Sequence, residues 1–332
     1  MTRMLLLRQL ALAFTAFAAV FSPASGSNAL AEDFPDRPIT FMVPLAPGGG
    51  MDFIARTLGQ KLSERVGKPV LVENRPGGGT VVATVALAKA APDGYTLLLV
   101  PGSTLTSNAT VYKSLPYDPR KDFAPIALPS QVSFTLVVNP SLPIHSITEL
   151  IKYAKDKPGD LIVGTAGIAT TTHLASELLA HMTGIKLRYA HYRGSPPAMN
   201  DVIGGSIQMM FADPVTGAAL AKAGKVRALA VTSKSRISVF PDIPPIADTV
   251  PGYEAINWHM VIAPAHTPPA VVAKLSAEFR AIGAMPEVKQ QITKIGLEPL
   301  DSPPASELRK FLDEEIVRWA KFVEQIGLAG SL

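Results

Sequence analysis

Beyond its first thirty or so residues, the chain alternates short apolar runs with longer stretches in which apolar side chains recur every three or four positions. Residues 39–45 form an apolar run that reads as a strand, followed by a Pro-Gly loop and a helix that places Ile54, Leu58 and Leu62 on one face. Residues 70–73 predict a second strand, Pro76 to Gly79 a second glycine loop, and residues 81–90 a second helix. Pro92-Asp93-Gly94 then turns the chain into a strand over 95–100. The theme returns farther on. Ser146 with Glu149 forms a capping box for a helix over 147–155. A strand over 161–164, a helix over about 172–182 and a strand near 187–191 come next. Ser195 reads as the cap, and Pro196 as the opening, of another helix. A strand over 207–211, a helix ending at Gly224 and a strand over 226–232 complete this set, and three helices over 270–282, 287–295 and 305–326 close the chain. Repeated strand–loop–helix units predict an α/β fold of mainly parallel sheets flanked by helices.

Two stretches break the rhythm. Residues 127–138 and 253–263 are extended with no adequate helix beside them, as expected of hinge crossings between two lobes. On that reading one lobe comprises 32–131 plus 255–332, and the other 132–254. One continuous doubly wound domain fits the same pattern. A chain of 332 residues agrees with about two domains.

The N-terminus follows a different logic. Arg3 and Arg8 flank an apolar stretch running to Phe21, and small polar residues lead to Ala29-Leu30-Ala31. This is the form of a cleaved export signal over 1–31. It is too short for a membrane anchor. Removing its two arginines lowers the formal charge from +4 to +2, with no clustered basic face of the kind nucleic acid needs. The absence of cysteine removes disulfides, thiolate metal sites, cysteine nucleophiles and a lipid anchor on an N-terminal cysteine.

Two loops carry the candidate chemistry. The first, Pro47-Gly48-Gly49-Gly50-Met51-Asp52, sits between a strand and a helix. Its glycines let the backbone approach a ligand, and the helix start offers unpaired N–H groups at the positive end of its dipole. A plain turn capped by Asp52 is the simpler alternative. No Gly-Lys-Ser/Thr follows, and Phe53 stands where a dinucleotide fingerprint needs its third glycine. The second loop, Thr165-Ala166-Gly167-Ile168 through Thr170, Thr171, Thr172 and His173, also follows a strand and opens a helix, with three successive hydroxyls. Facing one another across a cleft, two such loops would grip both ends of a dicarboxylate. The six histidines show no metal-ligand spacing, and no G-x-S-x-G elbow occurs. No cofactor or metal is expected.

The chain resembles the Bug-type (TctC-like) periplasmic receptors of tripartite tricarboxylate transporters. The resemblance rests on Phe34-Pro35-Asp36-Arg37-Pro38-Ile39, Val43-Pro44 through Pro47-Gly48-Gly49 with Asp52 and Ala55-Arg56, and Val72-Glu73-Asn74-Arg75-Pro76-Gly77. It continues through Pro92-Asp93-Gly94-Tyr95-Thr96-Leu97, Leu115-Pro116-Tyr117-Asp118 and Asp122-Phe123-Ala124-Pro125-Ile126. In the middle of the chain it adds His173-Leu174-Ala175 with Glu177, Tyr192-Arg193-Gly194 and Pro241-Asp242-Ile243-Pro244. It implies a two-lobed periplasmic-binding-protein fold of type II kind. It also implies a carboxylate held by both loops, membrane permease subunits as partners, and no catalysis. Ser103 and Asp213 fall where such sheets place ligand contacts. Gly78-Gly79-Thr80-Val81-Val82 and Ala169-Thr170 depart from the family's usual residues, and Met51 and Ile168 favour a longer or aromatic acid. The protein is expected to be a monomer, free in the periplasm. The alternative from another class is a secreted ester or amide hydrolase with Ser103 or a threonine of 170–172 as nucleophile. It requires a histidine within reach of that hydroxyl.

Overall fold

A computed structural model describes residues 34–332, of which Pro35–Leu332 form a compact unit. The export signal expected over 1–31 lies outside the described residues. The chain first builds β1 (Ile39–Val43), α1 (Gly50–Val66), β2 (Val70–Asn74), α2 (Val81–Ala88) and β3 (Thr96–Pro101). Two single-turn helices, α3 (Gly102–Leu105) and α4 (Asn108–Val111), lead to β4 (Phe123–Ser133). A second group follows: β5 (Thr135–Val138), α5 (Ile147–Asp156), β6 (Ile162–Thr165), α6 (Thr171–Thr183), β7 (Arg188–His191), α7 (Ser195–Gly204), β8 (Met209–Ala212), α8 (Pro214–Lys222) and β9 (Arg227–Val231). The chain returns through β10 (Ile256–Pro264), α9 (Pro269–Ala284), α10 (Pro286–Lys294), β11 (Glu298–Pro299) and α11 (Ala305–Gln325).

These strands form two sheets, ordered β11-β4-β10-β3-β1-β2 and β7-β6-β8-β5-β9. This is the expected two-lobed α/β arrangement. Each sheet keeps a parallel block, β2-β1-β3 in one and β7-β6-β8 in the other. To it are added antiparallel strands: β4 and β10 in the first lobe, β5 in the second. The antiparallel members are the strands that carry the chain between lobes. β10 and β5 run against the blocks they join, while β4, antiparallel to β10, runs with its block. β4 and β10 lie side by side from Ser133 opposite Ile256 to Phe123 opposite Pro264. The two extended stretches without helices are therefore the strands beneath the inter-lobe cleft.

Burial explains the helix phases. Ile54, Leu58 and Leu62 on α1 are fully buried, and Phe41 of β1 meets Phe279 of α9 at 5.8 Å between ring centres. Leu98, Val100, Met260, Leu308 and Leu312 fill the other face of the first sheet. Val137, Met199, Val202 and Met210 fill the second lobe. Each such side chain contributes roughly 1.5–3 kcal/mol through removal from water. Ser146 caps α5 as expected, accepting the Glu149 N–H. Ser195 does not cap α7. It is the first helical residue, and Gly194 at φ 143° is the cap, with no side-chain bond. The reason lies across the cleft: a Cβ on Gly194 would stand 3.1 Å from the Ala46 nitrogen, so the turn is shaped for close approach of the other lobe. Among the described residues, no helix is long and apolar enough to cross a membrane.

Candidate functional site

Contacts between the lobes surround the cleft. The Ala46 N–H donates to the Arg193 carbonyl at 2.8 Å. The Gly50 N–H donates to Asp213 Oδ1 at 3.2 Å. Gly79, at φ 58°, lies so close to the second lobe that a Cβ there would stand 2.0 Å from the Ile168 carbonyl oxygen. Between these contacts is a cavity with about 580 Å³ free of protein atoms, part of it open to solvent.

The second lobe brings the start of α6 to this cavity. Thr170 precedes the helix, yet no side chain of the cap residue bonds its first turn. The Thr170 hydroxyl instead donates to the Gly167 carbonyl at 2.7 Å, and Thr172 Oγ1 accepts the Ala166 N–H at 3.0 Å. These bonds fix the loop. Thr171, 2 % exposed, borders the cavity with its hydroxyl unpartnered. First-turn N–H groups have no intrahelical acceptor, and the helix dipole adds positive potential there. An orphaned buried hydroxyl normally costs about 1–3 kcal/mol. The constellation suits an anion.

The first lobe brings the start of α1, where the N–H groups of Gly50 and Gly48 are already engaged by carboxylates. Asp213, which caps α8 by accepting the Thr216 N–H and hydroxyl at 3.1 and 2.9 Å, also accepts the Gly50 N–H from across the cleft. One carboxylate thus serves two helix starts in different lobes. Asp52 accepts the Gly48 N–H at 3.1 Å and pairs with Arg56 at 3.0 Å. Burial acts to raise the Asp52 carboxyl, but Arg56, the Gly48 N–H and Asn74 outweigh it and hold it below the usual carboxylate range. Behind them His259 is buried, and burial pushes its imidazole down to about 4, so it is neutral near pH 7. Its Nδ1 lies 2.9 Å from Ser130 Oγ.

Of the residues expected at the site, Gly49, Gly50, Met51 and Asp52 border the cavity, as do Ala166, Thr170, Thr171, Thr172 and Asp213. Pro47 and Gly48 lie on the exposed outer side of their loop. Thr165 spends its hydroxyl on the Gly167 carbonyl and His191. Gly167 and Ile168 form the contact with Gly79 instead of cavity wall. His173 is turned along its own helix: Nδ1 accepts the Ala169 N–H at 3.2 Å, and Nε2 lies 3.5 Å from Glu177 Oε1. Ser103 is buried away from the cavity. The turn before it is drawn down by the Gly102 N–H bond to Asn257 at 2.9 Å, and a Cβ on Gly102 would stand 2.7 Å from the Trp258 ring.

Sequence reasoning missed Val132, Phe134, Asn257 and His259, and also Ser195, Pro196 and Leu297. The first four lie on or beside the crossing strands. The extended character of those strands was the available signal, because a segment joining two lobes must pass beneath the space between them. Among the described residues, no histidine nitrogen is hydrogen-bonded to the hydroxyl of Ser103 or of any threonine at 170–172. Nor do those residues contain a cluster of three or more His, Cys, Asp or Glu placed to hold a metal ion.

The model of the tripartite tricarboxylate transporter family receptor matches residues 54–328. The chain belongs to this family. Among its relatives is Protein BugT of Bordetella pertussis, 34 % identical over 316 residues that cover 95 % of each chain. The solved periplasmic binding protein BugD superposes with a TM-score of 0.85 at 32 % identity, covering 89 % of this chain and 99 % of that one. A further family structure, R. palustris Rpa4515 with adipate, gives a TM-score of 0.85 at 33 % identity and covers 90 % of this chain and 99 % of the other.

Proposed function

We propose that this chain is an exported receptor that closes its lobes on a small organic carboxylate and presents it to the permease subunits of a tripartite tricarboxylate-type transporter. In this reading residues 1–31 are the export signal, 32–131 plus 255–332 form one lobe, and 132–254 form the other. The mature protein works as a periplasmic monomer. The observation that carries the proposal is the uncapped start of α6, with the unpartnered Thr171 hydroxyl beside it in the inter-lobe cavity. A hydrogen bond to a charged group is worth about 1.5–3 kcal/mol. Three of them, with apolar contacts, approach the roughly 8 kcal/mol of a micromolar complex. Closure follows if the ligand contacts the closed arrangement better than the open one. The adipate held by a relative at 33 % identity supports an acid as the ligand class.

The test is calorimetry on protein freed of carried-over ligand by unfolding and refolding, against a panel of mono-, di-, tri- and aromatic carboxylates. At least one acid is expected to bind in the micromolar range or tighter. A silent panel sinks the receptor proposal.

A further inference from the structure

We infer that the preferred ligand is an acid with one carboxylate lodged at the start of α6 and an uncharged, largely apolar body lying against the apolar side chains of both lobes, and that citrate-like polyanions are rejected. The inference rests on the receptor reading above and narrows its ligand class.

The charge inventory of the cavity wall argues for it. Among the described residues, no lysine or arginine borders the cavity, and the ionisable groups that do are Asp52, Asp213 and His259. His259 is buried and neutral near pH 7, so it brings no positive charge. Asp52 and Asp213 bring negative charge, matched by donors of the protein itself: Arg56 and the Gly48 N–H for one, Gly50 and Thr216 for the other. The Gly50 N–H at the start of α1, which in isolation would be an anion hole, is therefore already filled by Asp213. The first turn of α6 and the Thr171 hydroxyl have no such carboxylate partner. They suffice for one carboxylate. A second or third carboxylate would face aspartates with no cation to offset its desolvation.

The rest of the wall fits a hydrocarbon. Leu45, Met51 and Leu297 meet Val132, Phe134 and Pro196 around the cavity. Such surfaces favour apolar atoms in proportion to the area removed from water, and the Phe134 ring adds a face suited to aromatic or chain carbons.

The experiment compares hexanoate, phenylacetate and citrate by calorimetry on refolded, ligand-free protein at one pH and salt concentration. Hexanoate or phenylacetate is expected to bind at least about tenfold more tightly than citrate. Citrate binding as well as or better than both overturns the inference and leaves the receptor reading standing. Failure of all three and of the wider panel removes both. Asp213→Asn supplies the second arm. The asparagine oxygen can still accept the Gly50 N–H, so the contact between lobes survives while the charge goes. Citrate affinity should then rise roughly fivefold or more relative to hexanoate, with the thermal midpoint unchanged. An unchanged citrate-to-hexanoate ratio in a folded variant overturns the role given to Asp213.

Discussion

The start of α1 and the start of α6 are assembled from the same parts: a parallel strand, a loop of small residues, and a helix whose first N–H groups border the cleft. At α1 the protein's own carboxylates occupy those donors, Asp213 from the opposite lobe and Asp52 from within the turn. At α6 no side chain of the cap residue bonds the first turn, and a neighbouring hydroxyl is unpartnered. The same local pattern thus yields a latch in one lobe and, on the proposed reading, an anion site in the other. One of the residues that separates them, Asp213, lies 163 positions away from Gly50 in sequence. A helix N-terminus is a capacity for binding charge, and the tertiary structure decides whether the protein or a ligand fills it.

The comparison breaks most severely if the two helix starts cannot approach each other. Gly79→Ala adds a Cβ that would fall 2.0 Å from the Ile168 carbonyl oxygen, at a position whose φ of 58° also disfavours an L side chain. The lobes must then stand apart. Affinity for the best acid of the panel is expected to fall by about a hundredfold or more. Small-angle scattering should find an open radius of gyration even at saturating ligand. Closure and affinity like those of the unmodified protein would remove Gly79 from the closing surface.

A narrower substitution separates vacant from filled donors. Thr171→Val keeps shape and burial while deleting the unpartnered hydroxyl. Affinity should drop roughly tenfold, the loss of one hydrogen bond to a charged group, while the thermal midpoint holds or rises because a buried orphan is gone. Unchanged affinity measured by calorimetry would place the carboxylate elsewhere.

The sequence made most of the fold legible and only part of the site. Apolar periodicity located α1 and its buried Ile54, Leu58 and Leu62, and the Ser146 cap was readable because capping is local. The loops around Gly50 and Thr171 were also readable, since small and hydroxylated residues before a helix have a local meaning. Phe134 and His259 were not, because their place in the cavity comes from strands crossing between lobes, a relation without local periodicity. Ser103 and His173 misled for the complementary reason. Each stands at the right place along the chain, but Gly102 is pulled against Trp258 and His173 is held by the Ala169 N–H.

His173 sharpens the contrast at the α6 end with a smaller effect. Its Nδ1 accepts the N–H of Ala169, a residue in the left-handed region at φ 57°. It therefore positions the loop without touching the cavity. His173→Leu should weaken binding by about fivefold, less than Thr171→Val, because the loop loses a restraint and keeps its donors. His173→Asn, whose oxygen can stand near the position of Nδ1, should recover part of the loss. Equal damage from both variants in a binding titration would mean that ring packing against Tyr189 and His191 is what matters.

The smallest effect is one of pH, and it should divide the two helix starts. The Asp52 carboxyl is held below its ordinary value of 3.8. Its folded form is favoured while ionised, so its contribution is complete above the unfolded value and fades as pH falls through the lower, folded one. The Gly48 N–H, which donates to this carboxylate, reports the change. In an NMR titration from pH 5 to about 2 its amide resonance should move with an inflection below the usual aspartate range. The Thr171 amide, at a start with no carboxylate of its own, should stay nearly flat over the same interval. If Gly48 titrates at or above the ordinary value, Arg56 and the loop donors do not hold Asp52 ionised. If Thr171 titrates alongside it, a protein carboxylate reaches α6 as well, and the vacancy that sets the two helix starts apart disappears.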